Sequence, residues 1–273
     1  MPFLDTGDVT LFYTDDGDGP PVLLVHGWTG DSHDWSWQIP ALLDGGYRVI
    51  AADLRGHGRS SVPADGYRPK QFAADLVTLL DHLGTGPVIV MGHSLGTIIG
   101  STLAVEHPAH VAALVVVDPT YGFPLELADY LEATCNALRD DPYAGALDNL
   151  RTFNHADTTP AHLKTWHRRR MLGTQPHVIR DIVLNLYEEG EGWLMQPEAA
   201  RYLAGRRCPV LTIRRTDRNL DWDRALPDPP PSEVVALESS HFPHQERAEE
   251  CNAIVLGWLE QVAAPTARLR AAI

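Results

Sequence analysis

The 273-residue chain is predicted to be an α/β protein, a largely parallel sheet covered on both faces by helices and interrupted by one helical insertion. Three observations predict it. Short β-branched runs alternate with helical patterns along most of the chain, which is how parallel strands joined by crossover helices read in sequence. Between about Tyr121 and Ala204 the strand signal disappears and helical stretches follow one another. The length and the 44% hydrophobic content suffice for one large domain with a full core, so a second complete domain is unnecessary.

Taken in order, strands are expected at Val22 to Val25, Arg48 to Asp53, Val88 to Met91, Ala113 to Val117, Val210 to Arg214 and Val234 to Leu237. An N-terminal hairpin is expected as well, because Thr10-Leu11-Phe12-Tyr13 follows a polar turn and precedes Gly17-Asp18-Gly19-Pro20-Pro21. Phe72, Leu76, Leu79, Leu80 and Leu83 fall on one face of a helix, and Cys251, Ile254, Val255, Trp258, Leu259 and Val262 repeat the pattern near the C-terminus. Both stripes read as core packing. The core domain therefore takes residues 1–120 and 205–273, and residues 121–204 form a cap, with helical patterns over Glu126 to Arg139, Pro160 to Met171 and His177 to Glu188. A cap of this kind sits above the C-terminal sheet edge, where open α/β folds bind ligands. Its tryptophans, Trp166 and Trp193, are thus candidates for a substrate pocket, although each also suits an ordinary core position.

Charge narrows the partners. With 36 acidic against 22 basic side chains the net charge is −14, which repels nucleic-acid phosphates and anionic lipid and leaves a small molecule as the expected partner. A homodimer is the assembly left open. Met1 to Asp5 does not read as a secretory signal, and no segment approaches the ~20 apolar residues that span a bilayer. Cys135, Cys208 and Cys251 lack the spacings of a disulfide framework or a zinc site, so a reducing cytoplasm is the simplest compartment. No metal-protease, paired-cysteine or dinucleotide fingerprint occurs in its proper context, and neither a metal nor an organic cofactor is expected. Arg168-Arg169-Arg170 is a basic run that reads as a solvated helix face in preference to a contact with a substrate carboxylate.

The chemistry is carried by Gly92-His93-Ser94-Leu95-Gly96, which directly follows the run Val88 to Met91 and opens an apolar helical segment. In that strand-turn-helix setting a G-x-S-x-G pattern marks a serine held exposed on a strained turn, near helix N–H groups that can face a developing anion. The hydroxyl needs a base, and 13 histidines are available. Position selects His241: the segment Ser239 to His244 follows the last expected strand and precedes the C-terminal helix, at the same sheet edge as Ser94. His244 suits a bland surface-loop role better.

Together with His26-Gly27-Trp28 and Asp53-Leu54-Arg55-Gly56-His57-Gly58-Arg59-Ser60, these motifs occur in an order that resembles the α/β-hydrolase superfamily, in its capped esterase, lactonase and C–C hydrolase branch. The resemblance covers nearly the whole chain and implies a mostly parallel eight-stranded sheet. It also implies a serine hydrolase acting on an ester or lactone, with the backbone N–H groups of Trp28 and Leu95 as oxyanion donors. His26 is read as a buried support for that loop. The acid departs from the common pattern: the usual Gly-x-x-Asp turn after the strand at Val210 is replaced by Arg214-Arg215-Thr216-Asp217. Some branches carry the acid one strand earlier, which makes Asp118 the preferred candidate, with Asp217 the alternative and Asp221 or Asp223 behind them. C–C bond hydrolysis on the same constellation remains a competing reading. So does cofactor-independent dioxygenation, which the Asp118 placement and His26-Gly27-Trp28 resemble, and so does a non-enzymatic small-molecule receptor. Epoxide hydrolases resemble the fold but need an aspartate where this chain has Ser94.

Overall fold

The computed structural model describes residues 2–187, 194–216 and 220–270. Its eight strands are β1 (Phe3–Asp5), β2 (Thr10–Asp16), β3 (Pro21–Val25), β4 (Arg48–Ala52), β5 (Val88–His93), β6 (Val111–Val117), β7 (Val210–Arg215) and β8 (Glu233–Leu237). They form one sheet in the order β1-β2-β4-β3-β5-β6-β7-β8. The N-terminal hairpin is present as β1 against β2, and β2 runs antiparallel to β4; every other pair is parallel. All the strands expected from sequence are present. The β5–β6 ladder runs longer than the apolar runs alone indicate, from Val88 opposite Val111 to His93 opposite Val117, so β5 reaches the residue before Ser94.

The described helices, in chain order, are α1 (Gln38–Asp44), α2 (Pro69–Leu83), α3 (Leu95–Glu106), α4 (Ala128–Asp140), α5 (Pro142–Asn149), α6 (Ala161–Gly173), α7 (Pro176–Tyr187), α8 (Gln196–Leu203), α9 (Leu220–Arg224), α10 (Pro243–Glu246) and α11 (Ala248–Arg270). Strand alternation divides the core in two. Leu23 and Val25 point to one face with the α2 stripe Phe72, Leu76, Leu79 and Leu80. Val22 and Leu24 point to the other, with Cys251, Val255, Trp258 and Leu259 of α11. Because both faces are covered, the central strand β6 is buried without a break from Ala113 to Val117 and does not alternate there. Burying each such Val or Leu contributes about 1.5–3 kcal/mol, which fixes the strand ends that carry the site.

Between β6 and β7 the chain forms the helical insertion, α4 to α8, where three helical patterns were expected. A π-helical turn, Leu150–Asn154, follows α5, and such turns often occur at functional sites. The two ends of the insertion are tied together by a bridge in which the Phe123 N–H donates to the Leu194 carbonyl (2.7 Å) and the Gln196 N–H to the Phe123 carbonyl (2.9 Å). Leu138, Ala146, Leu150, Met171 and Ile179 give the insertion its own apolar cluster, which Phe242 of the core enters. No described helix is long and apolar enough to cross a membrane.

Candidate active site

Strand becomes helix across a single residue at Ser94, between β5 and α3, and the turn forces Ser94 to φ 52° and ψ −117°. A residue with a Cβ holds such a conformation at a cost of about 1–3 kcal/mol, so the surroundings must impose it. They do so by close approach: a Cβ on Gly92 would lie 2.2 Å from the Gly96 carbonyl oxygen, and one on Gly96 would lie 2.1 Å from the Val25 carbonyl oxygen. The two glycines let backbone pass backbone, and the serine is left pointing out of the sheet edge.

Parallel register sets the next member. Since His93 pairs with Val117, Ser94 and Asp118 leave adjacent strands side by side. The Ser94 N–H donates to the Val117 carbonyl (3.1 Å) and the Asp118 N–H to the Ile213 carbonyl (2.7 Å). Asp118 takes φ 42°, a left-handed conformation that aspartate tolerates better than most residues. The loop after β8 brings in His241, whose Nε2 lies 2.8 Å from Ser94 Oγ and whose Nδ1 lies 2.5 Å from Asp118 Oδ2. All three side chains are buried. With a carboxylate at Nδ1, that nitrogen carries the proton and donates, which leaves Nε2 to accept from the Ser94 hydroxyl.

The His241 loop is anchored on both sides. The His241 N–H donates to the Asn154 carbonyl (3.0 Å), and His93 Nε2 donates to the His241 carbonyl (2.7 Å). Asp118 is held from behind, its Oδ1 accepting the Arg215 N–H at 3.2 Å. Burial alone would raise the Asp118 carboxyl, but the hydrogen bond and charge of His241, with the Arg215 and Arg214 guanidiniums, prevail and hold it at about 2. Asp118 is therefore a carboxylate throughout the neutral range.

The arginines that replace the usual glycine turn after β7 are spent on structure. Arg214 pairs with Asp223 and donates to the Pro119 (3.1 Å) and Tyr121 (3.3 Å) carbonyls, while Arg215 Nη1 donates to the Phe153 carbonyl (2.8 Å). They brace the neck of the insertion. Asp223 is thereby committed to Arg214, and Asp221 pairs with Arg224 (3.0 Å); neither meets His241. The alternative acid Asp217 and the pocket candidate Trp193 lie outside the described residues.

The loop carrying Trp28 rests on two buried histidines. His26 Nε2 accepts the Leu54 N–H (2.9 Å), and His57 Nε2 accepts the Thr29 N–H (3.2 Å) while His57 Nδ1 donates to the Arg55 carbonyl (2.9 Å). Trp28 itself donates from Nε1 to the Ile179 carbonyl (3.1 Å), joining this loop to α7. Leu95 is the first residue of α3, so its N–H has no acceptor within the helix.

Burial, with the charge of His26 in second place, lowers His57 to about 3, and burial together with the neighbouring Arg170 and His155 takes His167 to about 3. His93 and His244 are also pushed well below 6.5, chiefly by burial. A free imidazole protonates near 6.5, so below that pH the unfolded chain takes up protons that the folded chain refuses. Stability is thus complete above about pH 6.5 and falls as pH drops from there toward 3. Each pKa unit corresponds to about 1.4 kcal/mol, and whole-domain stability is only roughly 5–15 kcal/mol, so the shared direction of these rings makes the acid side the vulnerable one. Thermal melting followed by circular dichroism should show Tm falling by more than about 10 °C between pH 7.5 and 4.5. A flat profile would contradict the neutral-histidine assignment.

Two hollows flank Ser94, and Trp28 and His241 border both. The larger, about 680 Å³, is apolar and lined by Phe123, Tyr130, Leu131, Phe153, Ile182 and Leu186. The smaller, about 410 Å³, has a mixed lining, presenting Asp34, Asn154, His167 and Arg170 beside Leu150, Met171 and Phe242. Trp166 lines neither. It faces a separate hollow with His162 and Arg169, its ring 5.8 Å from Trp37 and beneath the Arg170 guanidinium, because α6 turns His167 and Met171 inward and Trp166 sideways. Of the basic run, Arg168 and Arg169 are solvated, but Arg170 is not: its side chain is 12% exposed and pairs with Asp34. His244 is fully buried, its ring tilted against that of His93 with centroids 4.3 Å apart, and so is not a surface-loop residue. Asn154, Arg170 and His93 are the site residues that sequence reasoning missed or placed elsewhere.

A family model described as alpha/beta hydrolase fold matches residues 20–199, well over half of the chain. The chain belongs to the alpha/beta hydrolase fold family. Among its curated relatives, this hydrolase is 34% identical to a non-heme haloperoxidase of Rhodococcus erythropolis over 190 residues, which cover 64% of the chain and 69% of that protein. It is 39% identical over 111 residues to an epoxide hydrolase of Caballeronia sordidicola, covering 40% of the chain and 34% of the relative. Several of the curated relatives that the hydrolase matches are spanned over only about a third of their length. In structure it is similar to a thermophilic esterase from Thermogutta terrifontis, with a TM-score of 0.79, 25% identity and coverage of 96% of this chain and 97% of that one.

Proposed function

We propose that this hydrolase cleaves an ester or lactone of a small apolar or aromatic substrate, through Ser94 as nucleophile, His241 as base and Asp118 as the acid that orients it. The reading is carried by one observation, the continuous hydrogen-bonded line from Ser94 Oγ through both ring nitrogens of His241 to Asp118 Oδ2. In the proposed sequence Ser94 Oγ attacks the carbonyl carbon as its proton passes to His241 Nε2. The imidazolium then protonates the leaving oxygen. Water, deprotonated by the same nitrogen, opens the acyl-enzyme, and the proton returns to Ser94. Asp118 stays ionised, fixes the tautomer and offsets the imidazolium charge.

The developing oxyanion would be met by the backbone N–H groups of Trp28 and Leu95. The fixed Trp28 loop and the free first turn of α3 support this assignment, and losing one such donor costs about 3 kcal/mol of barrier. The α4–α8 insertion acts as a cap in this reading, since its residues wall both hollows beside Ser94. The apolar chamber suits the larger arm of the substrate. Relatives named for epoxide hydrolysis do not redirect the proposal, because that class needs an aspartate at the elbow, where this chain has Ser94. Three buried, unpaired cysteines support a cytoplasmic setting.

A panel of esters and lactones graded in the size of the apolar arm tests the substrate class. Rates should rise until the arm fills the larger chamber and then fall, and Phe153→Ala should shift the optimum to larger arms. If no carboxylic ester or lactone is hydrolysed, or if oxygen is consumed at a rate that survives Ser94→Ala, the proposal is wrong.

A further inference from the structure

The smaller hollow beside Ser94 is built differently from the apolar chamber, and its chemistry names the second arm of the substrate. This inference rests on the ester or lactone reading above and adds to it. Arg170 reaches in from α6 and pairs through Nη2 with Asp34, and its Nη1 lies 3.5 Å from an Asp31 carboxylate oxygen. Asp34 also accepts from Gln245 Nε2 (3.0 Å), whose Oε1 in turn lies 2.7 Å from His167 Nε2. Arg170, Asp34 and His167 are therefore held in place by core and insertion together. Charge within the lining of the recess is already matched, the Arg170 guanidinium standing against the Asp34 carboxylate, with Asp31 outside the lining. A further anion would be repelled by Asp34, and a cation by Arg170.

Yet hydrogen-bonding capacity is left over. Asn154 Oδ1 and both Nε and Nη1 of Arg170 are closed off from solvent and have no hydrogen-bond partner among the described residues. Buried groups in that state carry a desolvation penalty that a partner relieves. Asn154 Oδ1 is an acceptor and the two Arg170 nitrogens are donors, so a group that serves both residues itself donates and accepts. Asn154 also borders the apolar chamber, and its carbonyl holds the His241 N–H, so a ligand touching its side chain sits at the reacting centre.

We propose that the recess formed by Asn154, Arg170, Asp34 and His167 is a subsite for a short, uncharged group that both donates and accepts hydrogen bonds, such as a hydroxyl or primary amide. The substrate is then an ester or lactone with one bulky apolar arm and one short hydroxylated or amidated arm.

The test is equilibrium binding to Ser94→Ala, which reads the subsite apart from the chemistry. Two matched pairs cover either orientation: 2-hydroxyethyl against propyl phenylacetate, and phenethyl glycolate against phenethyl propanoate. Calorimetry should find the hydroxylated member of at least one pair bound about tenfold or more tightly, with carboxymethyl phenylacetate weaker than the propyl ester. In the same background Asn154→Leu should reduce that preference to less than about threefold. Arg170→Met should do likewise; because it strands Asp34, its melting temperature is measured first, and Asn154→Leu carries the test if it fails to fold. No preference in either pair, a preference for the carboxylate, or a preference that survives both substitutions overturns the subsite. Wild-type turnover of the same esters reports separately on the serine mechanism: turnover without preference sinks only the subsite, and preference without turnover sinks only the chemistry.

Discussion

Asp118→Asn is expected to lower kcat by about 10⁴-fold while leaving KM within a few-fold of wild type. The size follows from geometry. In the wild-type protein Asp118 Oδ1 accepts the Arg215 N–H and Oδ2 accepts the proton of His241 Nδ1. An asparagine keeps its carbonyl oxygen on the Arg215 N–H, since its amide cannot accept there, and so presents NH₂ to His241. The ring must then accept at Nδ1 and carry its proton on Nε2, where it can no longer take the Ser94 proton. Asp118 borders neither hollow, so substrate affinity is largely spared. Steady-state kinetics on any ester substrate measures the split, and Asp221→Asn, an exposed residue, serves as a control with near-normal turnover. Near-normal turnover in Asp118→Asn, paired with its loss in Asp217→Asn, would move the acid to the strand after which the family usually carries it.

Ser94→Ala should be more severe still, with kcat reduced by about 10⁵- to 10⁶-fold. The more informative result comes from the pair. In the proposed mechanism Ser94 and His241 act on one proton, so once either is absent the other has nothing to contribute. The double variant Ser94→Ala, His241→Ala should therefore fall within about threefold of the worse single variant, the residual rate coming from the oxyanion donors and from binding. Effects that multiply would mean that the two residues serve separate steps, and would remove the shared proton from the account.

The sheet was legible because its signal is local: β-branched runs a few residues long, broken by glycine and proline turns, are dictated by burial on both faces of each strand. Ser94 was legible for the same reason, since the strained turn demands glycine at fixed offsets. His241 was chosen from 13 histidines only by its place after β8, and Asp118 only by the end of β6 and a missing glycine turn. Both succeeded as contacts because strand ends share one sheet edge. The insertion hid more. Periodicity finds the inward stripe of a helix but not which inward residue lies beside Ser94, so Trp166, large and aromatic, was a worse guide than Asn154. Arg170 reads as surface in sequence because its neutralising partner, Asp34, is 136 positions away and belongs to the core. The aromatic wall of the larger chamber was similarly invisible, because Phe123, Tyr130 and Phe153 come from three separate stretches of the insertion.

The central claim is that Ser94 is a nucleophile activated by His241, and covalent labelling reads this without knowledge of the natural substrate. Wild-type protein treated with a fluorophosphonate should gain the mass of one phosphonyl group per chain, mapped by peptide sequencing to the segment containing Ser94, while His241→Ala labels at least about a hundredfold more slowly. A native protein that stays unlabelled, or a label carried on any other serine, would contradict it.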